Sequence, residues 1–175
     1  DRTSRGLGDV YKRQGLDMQN FHGTLDAGDV AFLNEAGFAV LRVNFHGSSG
    51  YGKDFRHSLL GDWGGLDFQD RMLGIDKLVS DGIIDPDRLG IMGWSYGGYS
   101  TAWDISQTKR FKAAIAAAGV HNIISLQGTT DVGRFLVDYA NGQSFWENMA
   151  FYVDRSPLFK TPAVETPLLL LLSLI

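Results

Sequence analysis

The segment GWSYGGY (residues 93–99) contains the spacing Gly-x-Ser-x-Gly, with a serine between two glycines. Glycines at this spacing let a chain turn sharply from a strand into a helix, a geometry called the nucleophile elbow. The turn exposes the serine hydroxyl, which attacks the carbonyl carbon of an ester or amide when a base removes its proton. The motif therefore predicts Ser95 as a nucleophile for acyl transfer, provided that a strand precedes it and a helix follows.

The neighbours of Ser95 have predicted roles that follow from the geometry of this turn. We expect Gly93 and Gly97 at points where side chains would collide with backbone, and Gly98 where the helix lies closest to the sheet. The backbone N–H of Tyr96 is expected at the helix N-terminus, where it can donate to a developing oxyanion. The spacing alone is a weak signal because the chain has 22 glycines. The alternative is a glycine-rich turn that only packs a helix on a sheet.

Strand and helix patterns alternate on both sides of the motif. Apolar runs predict a strand at 38–44 and buried strands at 88–93 and 167–171. Residues 111–118 are ambiguous between helix and strand, and their place in the alternation favours a strand. Helical patterns occur at 29–36, 66–80 and 96–108, whereas 123–152 has no single period. This alternation predicts an α/β fold with a doubly wound, mainly parallel sheet and helices on both faces.

Composition and charge exclude several kinds of site. The 175 residues carry a net charge of −4, which disfavours nucleic acid and anionic membrane as partners. The chain has no cysteine, so disulfides and thiolate metal sites are excluded. Cysteine usage therefore gives no indication of the cellular compartment. The longest apolar run, 168–172, is too short to span a membrane. Residues 47–53 lack the Walker spacing for phosphate, and no cofactor or metal ion is expected.

Both ends of the chain match translated sequencing adapter. SRGLGDVYKRQ (residues 4–14) is one translation of a transposase adapter, and LSLI (172–175) is a translation of the same adapter in reverse orientation. We therefore expect residues 1–14 and 172–175 to be non-native and residues 15–171 to form a partial domain. The encoding DNA tests this expectation, because natural genomic sequence continuing through either junction would contradict it.

Several segments, in the right order, resemble the prolyl oligopeptidase family of serine peptidases. The resemblance covers residues 28–171 and is strongest to the acylaminoacyl-peptidase and dipeptidyl-peptidase branches. It rests on these segments: VNFHGSSGYGKDF (43–55), GDWGGLDFQD (61–70), DPDRLGIMGWSYGGY (85–99), its extension STAW (100–103) and RSPLFKTPAVETPLLLL (155–171).

The resemblance implies an α/β-hydrolase catalytic domain that is incomplete at both ends. In it, Ser95 would be the nucleophile, the N–H of Tyr96 one oxyanion donor, and Ser49 and Tyr51 candidates for the substrate cleft. The expected partners are a peptide substrate and a β-propeller upstream in the same intact protein. The catalytic aspartate and histidine of the family follow the strand at 167–171, so both are expected to be absent from this chain.

The other chemistry-bearing residues have ordinary structural interpretations. His46 stands where the family usually has arginine, His57 fits a solvated helix face, and chain order argues against His121 as the base. His22, within the His-Gly-Thr triplet, is a faint candidate for the second oxyanion element, and we interpret it as coincidence. The remaining residues are expected at helix termini and the surface (Asp67, Asp70, Asp76, Asp104) or in core and rim packing (Trp63, Trp94, Trp103, Phe145).

The sequence thus predicts a serine-type peptidase segment that hydrolyses oligopeptides through an acyl-enzyme on Ser95 in the intact protein. This chain alone is expected to be inactive. One alternative is a carboxylesterase of the same fold, because the elbow serves esters and amides alike. Another is a noncatalytic polypeptide. β-Propeller blades upstream would favour the peptidase.

Overall fold

The computed structural model describes residues 27–172, at whose centre lies a three-stranded parallel sheet. The strands are β1 (Leu89–Trp94), β2 (Phe111–Ala117) and β3 (Leu168–Leu171), and they lie in that order. Gly93 of β1 lies opposite Ala116 of β2, which lies opposite Leu170 of β3. Residues 1–14 and 173–175, expected to be adapter, and His22 fall outside the described range.

Seven α-helices and one 3-10 helix surround the sheet in the described range. They are α1 (Ala27–Glu35), α2 (Lys53–His57), α3 (Leu66–Ser80), α4 (Tyr96–Gln107), α5 (Ile123–Thr129), α6 (Gly133–Tyr139), α7 (Met149–Asp154) and the 3-10 helix (Pro157–Ala163). The helices predicted at 66–80 and 96–108 are confirmed, as are the strands at 88–93, 111–118 and 167–171, within one or two residues at each end. None of the helices between residues 27 and 172 combines the length and apolar character needed to cross a membrane.

The strand predicted at 38–44 is wrong. The segment is extended but belongs to no ladder, because the described strands pair only with one another. An apolar, β-branched run becomes a strand only where a neighbouring strand is there to accept its hydrogen bonds. Leu41 and Val43 of this segment instead pack against the two hydrophobic clusters described next.

Two hydrophobic clusters hold α4 in place. The first is aromatic and includes Trp63, Tyr96, Tyr99 and Trp103, all less than a tenth exposed. The second joins Ile75 of α3 and Ile105 of α4 to residues of β1 and β2 (Leu89, Phe111, Ala114). Burying each large apolar side chain contributes about 1.5–3 kcal/mol, so α4 is anchored along its length on one face of β1 and β2.

The opposite face of the sheet is open to solvent in the described part of the chain. Met92 and Trp94 alternate along β1 with buried Leu89 and Gly93, and Trp94 is 56% exposed. The expectation that β3 is buried is wrong, since its four leucines are between 36% and 53% exposed. Successive side chains of a strand point to opposite faces, so residues 27–172 leave both faces of β3, the edge strand, largely uncovered.

Candidate active site

Ser95 occupies the turn between β1 and α4 with an unusual backbone conformation. It has φ 56° and ψ −116°, and a non-glycine residue in such a sparsely populated region costs about 1–3 kcal/mol. Two hydrogen bonds hold the conformation: Ser95 N donates to Ala117 O at 2.9 Å, and Tyr99 N donates to Ser95 O at 3.0 Å. The end of β2 and the first turn of α4 therefore keep the serine at the corner between strand and helix.

The glycines around Ser95 make this sharp turn possible. A Cβ on Gly93 would lie 2.5 Å from the carbonyl atoms of Gly97, and a Cβ on Gly98 would lie 2.5 Å from Ala117 O. Real Cβ atoms essentially never approach other atoms so closely, and here the obstacles are backbone atoms. Glycine is therefore required at 93 for the turn itself and at 98 for the approach of α4 to β2.

Replacing Gly98 with alanine is expected to destabilise the fold by about 1–3 kcal/mol or more, because backbone atoms must move to admit the methyl group. Alanine is more favourable than glycine in a helix by about 1 kcal/mol, so helix propensity alone predicts that Gly98→Ala stabilises the fold. Gly90→Ala is the matched control, since a Cβ there would lie an ordinary 3.8 Å from Ala113 O. Urea unfolding measures both, and equal stability of the two variants would contradict the steric argument.

The Ser95 hydroxyl has no hydrogen-bonding partner among the side chains of residues 30–172. His46 bonds to Asp70, and His57 lies exposed in α2. The His121 Nε2 atom is buried with no hydrogen-bond partner in the described part of the chain, and burial lowers the pKa of this imidazole. No described histidine is therefore positioned to take the proton of Ser95.

A buried cluster of charges lies beneath the elbow. Arg71 donates through Nε and Nη2 to both oxygens of Asp104 at 2.7 and 2.8 Å, and through Nη1 to Asp67 Oδ2 at 3.0 Å. Tyr96 Oη also donates to Asp67 Oδ2, at 3.0 Å. The carboxylates of Asp67 and Asp104 are 0% exposed, so the expectation that both lie at the surface is wrong, although Asp67 does lie in the first turn of its helix.

Burial and the neighbouring charges together set the pKa values of Asp104, Tyr96 and Arg71. Burial raises the pKa of Asp104 to about 6, although the neighbouring Arg71 acts in the opposite direction. Burial, followed by the charge of Asp67, raises the pKa of the Tyr96 phenol well above its ordinary value. Burial also acts to lower the pKa of Arg71, but Asp104 and Asp67 outweigh it and raise that pKa. The guanidinium therefore remains charged and the phenol remains a hydrogen-bond donor.

Comparison with known proteins identifies the family. The model of the prolyl oligopeptidase family matches residues 24–174. This chain belongs to the prolyl oligopeptidase family. The fold is accordingly that of an α/β-hydrolase, as the parallel sheet and the elbow indicate.

Proteins to which the chain is similar are much longer than the chain. An uncharacterized peptidase of Bacillus subtilis, YuxL, is 44% identical over 140 residues, which are 79% of this chain and 21% of that protein. The acylamino-acid-releasing enzyme of Arabidopsis thaliana is 36% identical over 82% of this chain and 20% of the enzyme. The solved acylaminoacyl peptidase of Pyrococcus horikoshii is 38% identical, with a TM-score of 0.69 over 73% of this chain and 21% of its own. The chain thus spans about a fifth of the length of these relatives.

Position 46, where the resemblance to the family leads us to expect arginine, is histidine in this chain. Both the backbone N and the ring Nδ1 of His46 bond to Asp70 Oδ2, at 2.7 and 2.6 Å. The ring also packs on Phe55 with centroids 4.4 Å apart. Asp70 is therefore not simply a surface residue, because it ties the loop after residue 45 to α3. Asp76 does lie at the surface, where it pairs with Arg110.

The cleft candidates Ser49 and Tyr51 lie in the loop that follows Phe45. Both are exposed, and the Tyr51 hydroxyl accepts a hydrogen bond from Asn44 Nδ2. The Phe45 ring lies 6.1 Å from the Tyr96 ring, so the loop begins beside the elbow. The role of Ser49 and Tyr51 in binding substrate remains a prediction.

The aromatic residues proposed for packing divide between the core and the surface. Trp63 and Trp103 are buried, Phe145 packs at the edge of the aromatic cluster, and Trp94 lies on the open sheet face. Among residues 27–172, no three His, Asp or Glu side chains are arranged to hold a metal ion.

Proposed function

We propose that this chain is the nucleophile-bearing segment of a serine-type peptidase, in which Ser95 forms an acyl-enzyme. The observation that carries the proposal is the backbone of Ser95, held at φ 56° and ψ −116° between a parallel strand and a helix. A glycine-rich turn that only packed a helix would gain nothing from a strained serine at this point. Membership of a peptidase family supports the same role.

The proposed reaction uses few groups of this chain. Ser95 Oγ bonds to the carbonyl carbon of the scissile amide, and its proton passes through a base to the leaving amine as the C–N bond breaks. The N–H of Tyr96, the first residue of α4, donates to the oxyanion. Water then cleaves the acyl-enzyme and restores the Ser95 hydroxyl. The base and its aspartate come from a part of the longer protein beyond this chain.

We further propose that oligopeptides are the substrates and that a β-propeller upstream restricts access to them. The names of two relatives, an acylamino-acid-releasing enzyme and an acylaminoacyl peptidase, support cleavage near the N-terminus of a peptide. The chain alone is proposed to be inactive, because a serine without a base remains protonated and weakly nucleophilic. Ser49 and Tyr51 are proposed to contact the substrate from the loop beside the elbow.

The experiment compares the chain alone with the longer protein that contains it. Each is incubated with an N-acetylated peptide p-nitroanilide and with a p-nitrophenyl ester, and release of the chromophore is followed. We expect the longer protein to hydrolyse the anilide and the chain alone to hydrolyse neither substrate. Hydrolysis of the ester without the anilide would favour the carboxylesterase alternative. A longer protein inactive on both would favour the noncatalytic one.

A further inference from the structure

We propose that Asp67, held in place by Arg71, is a positioning residue. It binds the Tyr96 hydroxyl and thereby fixes the backbone N–H of Tyr96, the proposed oxyanion donor beside Ser95. The inference rests on the proposed function, since it concerns the efficiency of the same reaction. It assigns a purpose to a buried ionic cluster that the peptide-cleaving chemistry does not itself use.

Tyr96 is held at both of its ends. Its backbone follows Ser95 directly and begins α4, while its hydroxyl donates to Asp67 Oδ2 at 3.0 Å. Between these ends, the ring packs edge-on against Trp63, with centroids 5.0 Å apart, and lies tilted by 31° against Tyr99, with centroids 5.2 Å apart. Apolar packing tolerates sliding and rotation, whereas a hydrogen bond has a preferred distance and direction. The bond to Asp67 therefore fixes where the ring, and with it the N–H, must lie.

Arg71 makes this anchor rigid, because its bond to Asp104 adds a second link between α3 and α4 to the one from Asp67 to Tyr96. Asp67 lies four residues before Arg71 on α3, so the i,i+4 contact holds the carboxylate in one orientation. The guanidinium also makes a two-pronged bond to Asp104, eight residues after Tyr96 on α4. A separation of eight residues corresponds to about 12 Å along a helix. Two directional contacts so far apart fix both the rotation and the axial position of α4, on which the N–H of Tyr96 depends.

The composition of the cluster points to positioning rather than to stability. Burying one cation with two carboxylates carries a desolvation penalty that apolar side chains of similar volume would avoid. The second oxygen of Asp67, Oδ1, is buried with no hydrogen-bond partner among the described residues, which adds to the cost. Such a cost is explained if the carboxylate is needed to direct one hydroxyl, because catalysis is sensitive to small displacements of the groups that contact the transition state.

Tyr96→Phe tests the proposal by removing only the hydroxyl while keeping the ring. Tyr99→Phe is the matched control, because Tyr99 neighbours Tyr96 in the same cluster and its buried hydroxyl has no hydrogen-bond partner among the described residues. Both variants are made in the longer, hydrolysing protein, and active sites are counted by titration with a fluorophosphonate. We expect Tyr96→Phe to lower kcat per active site about tenfold with KM nearly unchanged. Tyr99→Phe is expected to leave both constants unchanged.

A transition-state analogue separates positioning from general damage. A peptide aldehyde forms a tetrahedral adduct with the serine, so its inhibition constant is expected to rise with the loss of kcat in Tyr96→Phe. A cleavage product that binds only in the ground state is expected to bind as before. Asp67→Asn retains an oxygen acceptor and is expected to lose less kcat than Asp67→Ala. If Asp67→Ala does not fold, the two tyrosine variants still decide the question.

The outcomes distinguish failure of this inference from failure of the proposed function. A wild-type protein that hydrolyses neither amide nor ester would overturn both. A hydrolysing wild type with unchanged kcat in Tyr96→Phe, or with equal losses in the two tyrosine variants, would overturn the positioning role alone. The positioning role would also be overturned if Tyr96→Phe lowered only the number of titratable active sites and left kcat per site unchanged. That result would assign the hydroxyl a purely structural role.

Discussion

Ser95→Ala is expected to lower kcat for hydrolysis of a peptide p-nitroanilide by about 10⁶-fold in the longer protein that contains this chain. The methyl group of alanine cannot form the acyl-enzyme, so the two-step reaction is lost. A residual rate above that of water is expected, because the oxyanion donors and the binding groups remain. KM is expected to change little, since the hydroxyl contributes mainly to the transition state.

The strain at residue 95 supplies a second readout for the same variant. Alanine must adopt the same φ of 56° as the serine, so Ser95→Ala is expected to fold with nearly unchanged stability. Ser100→Ala is the matched control, because it removes from the adjoining helix α4 a buried hydroxyl that has no hydrogen-bond partner within residues 27–172. We expect its kcat to stay within about twofold of the wild type. Hydrolysis that survives in Ser95→Ala would show that another residue is the nucleophile.

The elements around the elbow could be predicted from the sequence because their signals are local. An apolar run before Gly93 and a helical period after Tyr96 gave β1 and α4 to within a residue or two. The positive φ of Ser95 follows from the same short segment, since it is the geometry of the turn that requires the flanking glycines.

The failures all depend on contacts between segments distant in the chain. Residues 38–44 have the composition of a strand, but whether they form one depends on a neighbouring strand that the segment itself cannot specify. The leucines of β3 read as buried because they are apolar on both faces, yet their burial depends on which other elements cover the sheet. Composition gives the preference of a segment, whereas tertiary structure decides its surroundings.

The buried carboxylates were missed for a related reason. Asp67 lies in the first turn of α3, where a negative charge is favourable on its own and needs no further explanation. Two signals could have indicated burial. Arg71 lies at i+4 from Asp67, and Asp104 lies beside Trp103 on the part of α4 that is rich in aromatic residues. A charge on an apolar helix face predicts a buried partner, because an unpaired one would cost too much.

Arg71→Leu is expected to destabilise the chain by about 3–5 kcal/mol at pH 7.5, because it leaves two buried carboxylates without their cation. Arg110→Leu is the matched control, since Arg110 pairs with an Asp76 carboxylate that is 59% exposed. The loss of such a surface pair is expected to cost about 0–1 kcal/mol. Urea unfolding measures both variants, and equal losses would contradict the buried position of the Arg71 cluster.

The loss of stability in Arg71→Leu is expected to depend on pH, and the pKa of Asp104 sets the direction of that dependence. The pKa of Asp104 is about 6 in the folded chain, against an ordinary value of 3.8. The contribution of this raised pKa to the stability of the fold is therefore fully present below pH 3.8 and is lost as the pH rises through about 6. Removal of Arg71 raises this pKa further, because burial then acts unopposed. The deficit should therefore shrink as pH falls from 7.5 toward about 4, where a neutral Asp104 no longer needs a cation.

The double variant Arg71→Leu/Asp104→Asn separates charge from packing in this deficit. Asparagine has nearly the same shape as a protonated aspartic acid and carries no charge. The double variant is therefore expected to be more stable than Arg71→Leu at pH 7.5, by much of the amount that Arg71→Leu gains when the pH is lowered. Asp104→Asn alone leaves Arg71 with Asp67 as its only carboxylate and is expected to cost less than Arg71→Leu. If the double variant were no more stable than Arg71→Leu at pH 7.5, lost packing of the arginine side chain against Phe45 would account for the deficit instead.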